Sequence, residues 1–333
     1  MKKLFLSTAL SLSAVLNLAA EQESEPLQRA DAYTLELSQD LKPSSSFFPI
    51  GVLADRKFEI LPFMGLNISE AIHTCYDYPR GKKCSHIANQ TDRGLYYYCH
   101  WVAHTLYNSR KTKTHGELKT LVRDNGKEAG RHALRIADPK TRQYVLDAAR
   151  ASVESIVRQK RSNVFLWGID NEWELAPDYS PESVALFHKW LEKNYNGDLK
   201  KLNTAWESNY KAFTEAVPPK SGEYDKRPGA WLDWRPYTEE EFAGFLGQYF
   251  AAIRNGDPEK RPVAAKNTQC TLEMQAVAKK RAVNHEKIAD ATRPYSGGWY
   301  GFDQYGHGDR SNYEMNYFYN CIRPLNPEQG RRY

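Results

Sequence analysis

Asp170, Asn171 and Glu172 stand in a row directly after the apolar run Val164-Phe-Leu-Trp-Gly-Ile169, with Trp173 next. A short apolar run reads as a buried strand, and three polar side chains at its end mark the point where the chain leaves the core. In a parallel barrel, substrate meets the protein at that place. Glu172 lies between Trp167 and Trp173, and flanking indoles would exclude water from it. A drier site disfavours the ionised carboxylate and raises its pKa toward the range of a general acid. The same residues also fit a strand that ends in a solvated acidic turn, and the run alone does not choose between the two.

The elements that would carry this site alternate. Pro139 opens a helix through Arg158, with Tyr144, Val145, Ala148, Ala149, Ser152, Ile156 and Val157 on one side. The strand at 164–169 follows. Ser180 and Pro181 read as N-cap and first turn of a second helix with Val184, Phe187, Trp190 and Leu191 on its apolar face, ending at Asn196-Gly197. A short helix is expected from Leu199 to Trp206, and a loop from Pro218 to Gly229. Thr238-Glu-Glu-Glu241 has the form of a capping box and predicts a long helix through Arg254. Strands are expected at 262–266, ending in Asn267, and around Trp299–Phe302, ending in Asp303-Gln-Tyr305. Upstream, strands are expected at 47–53, at 61–67 and near 95–101, with long loops over the rest of 68–130. Three successive strands ending in polar or aromatic groups, with helices between them, predict an α/β fold of the (β/α) barrel type with its site on one rim.

Lys2 and Lys3, the apolar run Leu4–Leu18 and Ala19-Ala20 before Glu21 have the layout of a secretory signal peptide over residues 1–20. Residues 21–46 read as a linker or poorly ordered arm, and 47–333 as the barrel. The expectation is therefore an exported protein, periplasmic or extracellular. Removing Lys2 and Lys3 lowers the formal charge from +5 to +3, a mild and mixed excess that does not point to nucleic acid or to a membrane after signal cleavage. No nucleotide glycine fingerprint, P-loop or Gly-x-Ser-x-Gly elbow occurs, which counts against dehydrogenase, kinase and serine hydrolase readings; no cofactor is expected. Cys75, Cys84, Cys99, Cys270 and Cys321 form no Cys-x-x-Cys pair. Cys99-His100 with His104 is better explained by an aromatic-rich strand than by a metal site, so no metal is expected. Eight Trp and 21 Tyr suit sugar rings, which have apolar faces and hydroxyl edges.

Phe165-Leu-Trp-Gly-Ile-Asp-Asn-Glu172 resembles the signature of the glycoside hydrolase family 42 β-galactosidases, (β/α)8 barrels whose acid/base follows an Asn on strand four. Phe187-His-Lys-Trp-Leu191 with Leu199-Lys-Lys-Leu-Asn-Thr-Ala-Trp206 resembles that family's helix pair. Trp231-Leu-Asp-Trp-Arg235, Pro262-Val-Ala-Ala-Lys-Asn267 and Gly301-Phe-Asp-Gln-Tyr305 resemble its later segments. The resemblance spans roughly 139–306. It implies a retaining glycosidase acting on an oligosaccharide or polysaccharide, with two carboxylates about 5 Å apart. Glu172 matches the acid/base and Asn171 the residue beside the sugar 2-hydroxyl. Trp173, Asn267, Asp303 and Tyr305 fall at or near rim positions around the sugar. The nucleophile is expected after strand seven. Glu174 is too close to Glu172, Glu314 lies too early, and Glu328 has no strand before it, so no residue matches that role, and strands seven and eight are not evident. The alternative is an inactive or carbohydrate-binding barrel relative. The sequence does not define the oligomeric state.

Overall fold

The computed structural model describes residues 51–52, 65–66, 68–71, 96–99, 118–129, 134–158, 164–171, 176–267, 283–296 and 301–302. The strands are β1 (Gly51–Val52), β2 (Ile68–Ala71), β3 (Tyr96–Cys99), β4 (Val164–Asn171), β5 (Val263–Asn267) and β6 (Gly301–Phe302). They form one sheet in the order β1-β2-β3-β4-β5-β6. Every neighbouring pair is parallel. A parallel neighbour must be reached by a crossover. Six strands added in chain order make the singly wound arrangement of a (β/α) barrel.

The helices are α1 (Pro139–Arg158), α2 (Pro181–Asn194), α3 (Leu199–Ala205), α4 (Pro228–Gly256) and α5 (His285–Ser296), with a 3-10 turn at Phe213–Glu215. In α1, the residues Val145, Ala148, Ala149, Ser152, Val153 and Ile156 are buried at helical spacing, as the pattern predicts. Asp138 closes its start, accepting from the Thr141 N–H at 2.9 Å. The outer core lies between the sheet and these helices. It joins Cys99, Val164, Trp167, Ile169 and Val263 from the strands to Val153, Phe245, Leu246, Phe250 and Ile288 from α1, α4 and α5. Tyr96, Phe165, Leu166 and Ala264 pack together on the other face of the sheet.

One expectation gives way. The capping box at Thr238 does not open a helix: α4 begins ten residues earlier, at Pro228, and runs through Pro236. Trp234 and Tyr237 are buried in a second core with Phe187, Leu191 and Leu202, so packing holds the helix through a residue that lacks an N–H. The Thr238 hydroxyl donates backward to the Arg235 carbonyl at 2.8 Å rather than capping forward. Most of the strand expected at 61–67 lies outside the described residues; β2 is described from Ile68, and Gly65 takes φ 78°, a left-handed conformation that glycine adopts readily. No helix among the described residues is long and apolar enough to cross a membrane.

Candidate active site

Strand β4 carries an extra residue against each neighbour. Against β3 the register shifts after the Tyr97–Val164 pair; against β5 it shifts between Gly168 and Asn171. The second bulge bears on the site. Trp167 and Ile169 belong to the outer core, so plain alternation would put position 171 on the helix-facing side. Instead Asn171 is in register with Lys266, and Gly168 with Ala264. The extra residue resets the alternation and places backbone position 171 on the same face as positions 168 and 264. Gly168 gives the Tyr98 ring of β3 its room: a Cβ there would meet the end of that ring at 2.7 Å and force it to shift.

The carboxyl ends of β4, β5 and β6 therefore stand side by side: Asn171 opposite Lys266, and Asn267 opposite Phe302. Asn171 and Asn267 end adjacent strands, as the sequence suggests. Glu172 and Asp303 are the next residues in the chain after β4 and β6. Glu172, Trp173, Asp303 and Tyr305 lie outside the described residues, as do Cys75, Cys84, Cys270 and Cys321. Position 266 is an addition that the sequence motifs do not mark. Val263 is in the outer core and Ala264 on the inner face, and counting in twos from them puts Lys266, not Asn267, on the face of position 171.

Trp167 has a structural role of its own. It is fully buried in the outer core, and its indole N–H donates to Asp257 Oδ2 at 2.9 Å. Asp257, itself buried, also pairs with Arg261 at 2.8 Å and accepts from the Arg261 backbone N–H at 3.1 Å. Trp167 thus bolts β4 to the turn that leads into β5.

The segments that leave β3 and β4 are tied together beside this rim. Because α1 runs back toward the start of β4, its first turn lies level with the strand carboxyl ends. There Lys119 bridges Asp138 at 2.7 Å and Glu182 at 2.9 Å, and Arg135 reaches Glu182 at 3.3 Å. The Lys119 hydrogen bond holds the Glu182 carboxyl below its ordinary range. Burial pushes the Asp138 carboxyl up, but Lys119 and Thr141 outweigh it and the net shift is downward. Asp178 accepts from the Val122 N–H at 2.9 Å and from the Ser180 N–H and hydroxyl at 3.0 and 2.8 Å. Burial raises its pKa despite these donors. The Tyr179 N–H in turn donates to the Val122 carbonyl at 2.8 Å. Two loops that would otherwise move independently form one wall. Among the described residues no cluster of His, Cys, Asp or Glu suits a metal ion.

Residues 113–292, more than half of the chain, match the sequence profile of glycoside hydrolase family 42, described as beta-galactosidase. The fold is similar to that of the beta-galactosidase from Rahnella sp. R3: TM-score 0.67, 15% identity, 88% of this chain and 45% of that one. It is similar to the beta-galactosidase from Bacillus circulans sp. alkalophilus, with TM-score 0.63, 14% identity, 84% of this chain and 43% of the other. The catalytic domain of beta-amylase from Paenibacillus polymyxa shares the fold at TM-score 0.60 and 12% identity, over 83% of this chain and 82% of that domain. The chain spans less than half the length of the two galactosidases.

Proposed function

Since the chain belongs to glycoside hydrolase family 42, we propose that it hydrolyses β-galactosidic bonds with retention of configuration, and that Glu172 is the acid/base. One observation carries the reading. Within the family-matched region, β4 ends at Asn171 on the carboxyl edge of a parallel sheet wound in chain order, and Glu172 is the next residue. Substrate meets a (β/α) barrel at that edge. Glu172 protonates the leaving oxygen while a second carboxylate, a role that no residue of this sequence matches, attacks the anomeric carbon; in the second half of the cycle Glu172 takes a proton from the water that displaces that carboxylate. Asn171 hydrogen-bonds the sugar hydroxyl beside the reacting carbon. Trp173, Asp303 and Tyr305 line the ring.

The bulge between Gly168 and Asn171 supports this assignment, because it brings position 171 to the inner face. The substrate is an oligosaccharide or polysaccharide with β-linked galactose. Residues 1–20 support export, with cleavage after Ala20.

The test is a screen of aryl glycosides with the purified chain. An aryl β-galactoside is expected to be hydrolysed faster than the gluco-, manno- and xylo- analogues. Absence of hydrolysis on every glycoside, with galacto-oligosaccharide binding retained, would replace the enzyme reading by a carbohydrate-binding one.

A further inference from the structure

A groove of about 280 Å³ opens between the 118–129 arm, α2 and the 214–220 segment. Its walls follow the carboxyl ends of β3 and β4, the side of the sheet on which β4 ends at Asn171. The Asp178–Val122 and Tyr179–Val122 hydrogen bonds fix one wall against the other. The Asp124 carboxylate, which accepts from the Ser221 N–H at 2.9 Å, closes one side.

The groups that face this groove are those of a polar glycan site with positive charge. Arg123 and Lys220 line it, both exposed, and neither makes an ion pair among the described residues. The nearby Glu223 is already engaged by the Lys220 backbone N–H at 3.0 Å and by Arg227 at 3.5 Å. His188 Nε2 lies 2.9 Å from the Ala216 carbonyl. A carbonyl only accepts, so Nε2 carries the hydrogen and donates. Tyr179 holds its hydroxyl on the Pro219 carbonyl at 2.8 Å, which fixes its ring in the wall, and Val217, 52% exposed, adds an apolar edge. A ring in the wall, an apolar edge and two exposed cations, of which Lys220 also interacts with Glu223, together suit a sugar that carries an anionic group.

Resting on the galactosidase reading, we propose that this groove is a distal subsite for an anionic galactan, in which Arg123 and Lys220 bind a sulfate or carboxylate substituent. It selects the substrate chain away from the reacting bond. Neutral galactans would lack the charged contact and bind there weakly.

The test is equilibrium binding by calorimetry to the full chain carrying Glu172→Gln, which suppresses turnover. The probes are a sulfated galactan tetrasaccharide, an oligogalacturonate and a neutral β-galactan tetrasaccharide. At least one anionic probe is expected to bind about tenfold more tightly than the neutral one, about 1.4 kcal/mol, and the preference should shrink as salt is raised. Which anionic probe binds identifies the substituent. Arg123→Ser with Lys220→Ser should abolish the preference while leaving the melting temperature near that of the parent, since both side chains are exposed. Equal binding of all three probes, or a preference that survives the double substitution, overturns the proposal. Failure to hydrolyse aryl galactosides would count against the galactosidase reading alone, because binding is read without turnover.

Discussion

Trp167 illustrates how one side chain's company changes its meaning. In the sequence it flanks Glu172; in the fold it is buried and bound to Asp257, which is fully enclosed together with Arg261. Burying two charges is costly; the Asp257 carboxylate offsets it by accepting from the Trp167 indole, the Arg261 guanidinium and the Arg261 backbone N–H, while Arg261 Nε has no partner among the described residues. Removing the acid alone would leave Arg261, its side chain 2% exposed, with Glu259 at 2.6 Å, itself half-exposed, as its one ion-pair partner among the described residues. Asp257→Ala is therefore expected to cost about 3–5 kcal/mol of stability, as an unpaired buried charge does, measured by urea denaturation. A loss under about 1 kcal/mol, the size of a surface pair, would show that the network is not stabilising. Position 171 follows the same logic, because its place on the inner face depends on one inserted residue that no pattern of residue types announces.

Among the elements, those that carry their own signals were legible in the sequence. The α1 stripe, the Ser180 cap with Pro181, and the β4 run were placed nearly to the residue, because burial on one face and local capping dictate them. The Ser180 hydroxyl accepts from the Ser183 N–H at 3.2 Å, as the motif predicts. What failed was the start of α4, where the local cue at Thr238 competes with packing from Trp234 and Tyr237. The β4 bulges and the position of Lys266 were hidden as well, since register is a property of strand pairs. The clasp that joins the β3 and β4 loops also spans too many residues to be read locally. It makes a pH prediction. The Glu182 carboxyl is held below its ordinary value of 4.5 by Lys119. Its stabilisation is complete above about pH 4.5 and is lost as pH falls through the lowered folded value. Glu182→Gln should be less stable than the parent at pH 7, and the gap should close in acid. Asp178 titrates in both chains and largely cancels. A gap that stays constant from pH 7 to pH 3 would remove the clasp as an electrostatic device.

Across the whole molecule, two cores share one helix. The distal half of α4 supplies Phe242, Phe245, Leu246, Phe250 and Ile253 to the barrel core. Its proximal half supplies Trp234 and Tyr237 to the core under α2 and α3. A 29-residue helix built into both couples the β4 excursion to the barrel. Phe187, fully buried and 4.8 Å from Trp234, sits at the centre of the second core. Phe187→Ala should cost about 3–5 kcal/mol and shift a single calorimetric transition downward; two separated transitions would show that the excursion unfolds alone. The coupling suits a rim whose loops must hold substrate against the end of β4. The claim that Glu172 is the acid/base at that end is tested most directly by the leaving-group dependence of Glu172→Gln. Aryl β-galactosides with poor leaving groups, which need protonation, should lose about 10²–10⁴-fold in kcat/KM, while activated nitrophenyl substrates lose far less. An equal loss on both would contradict the role assigned to Glu172.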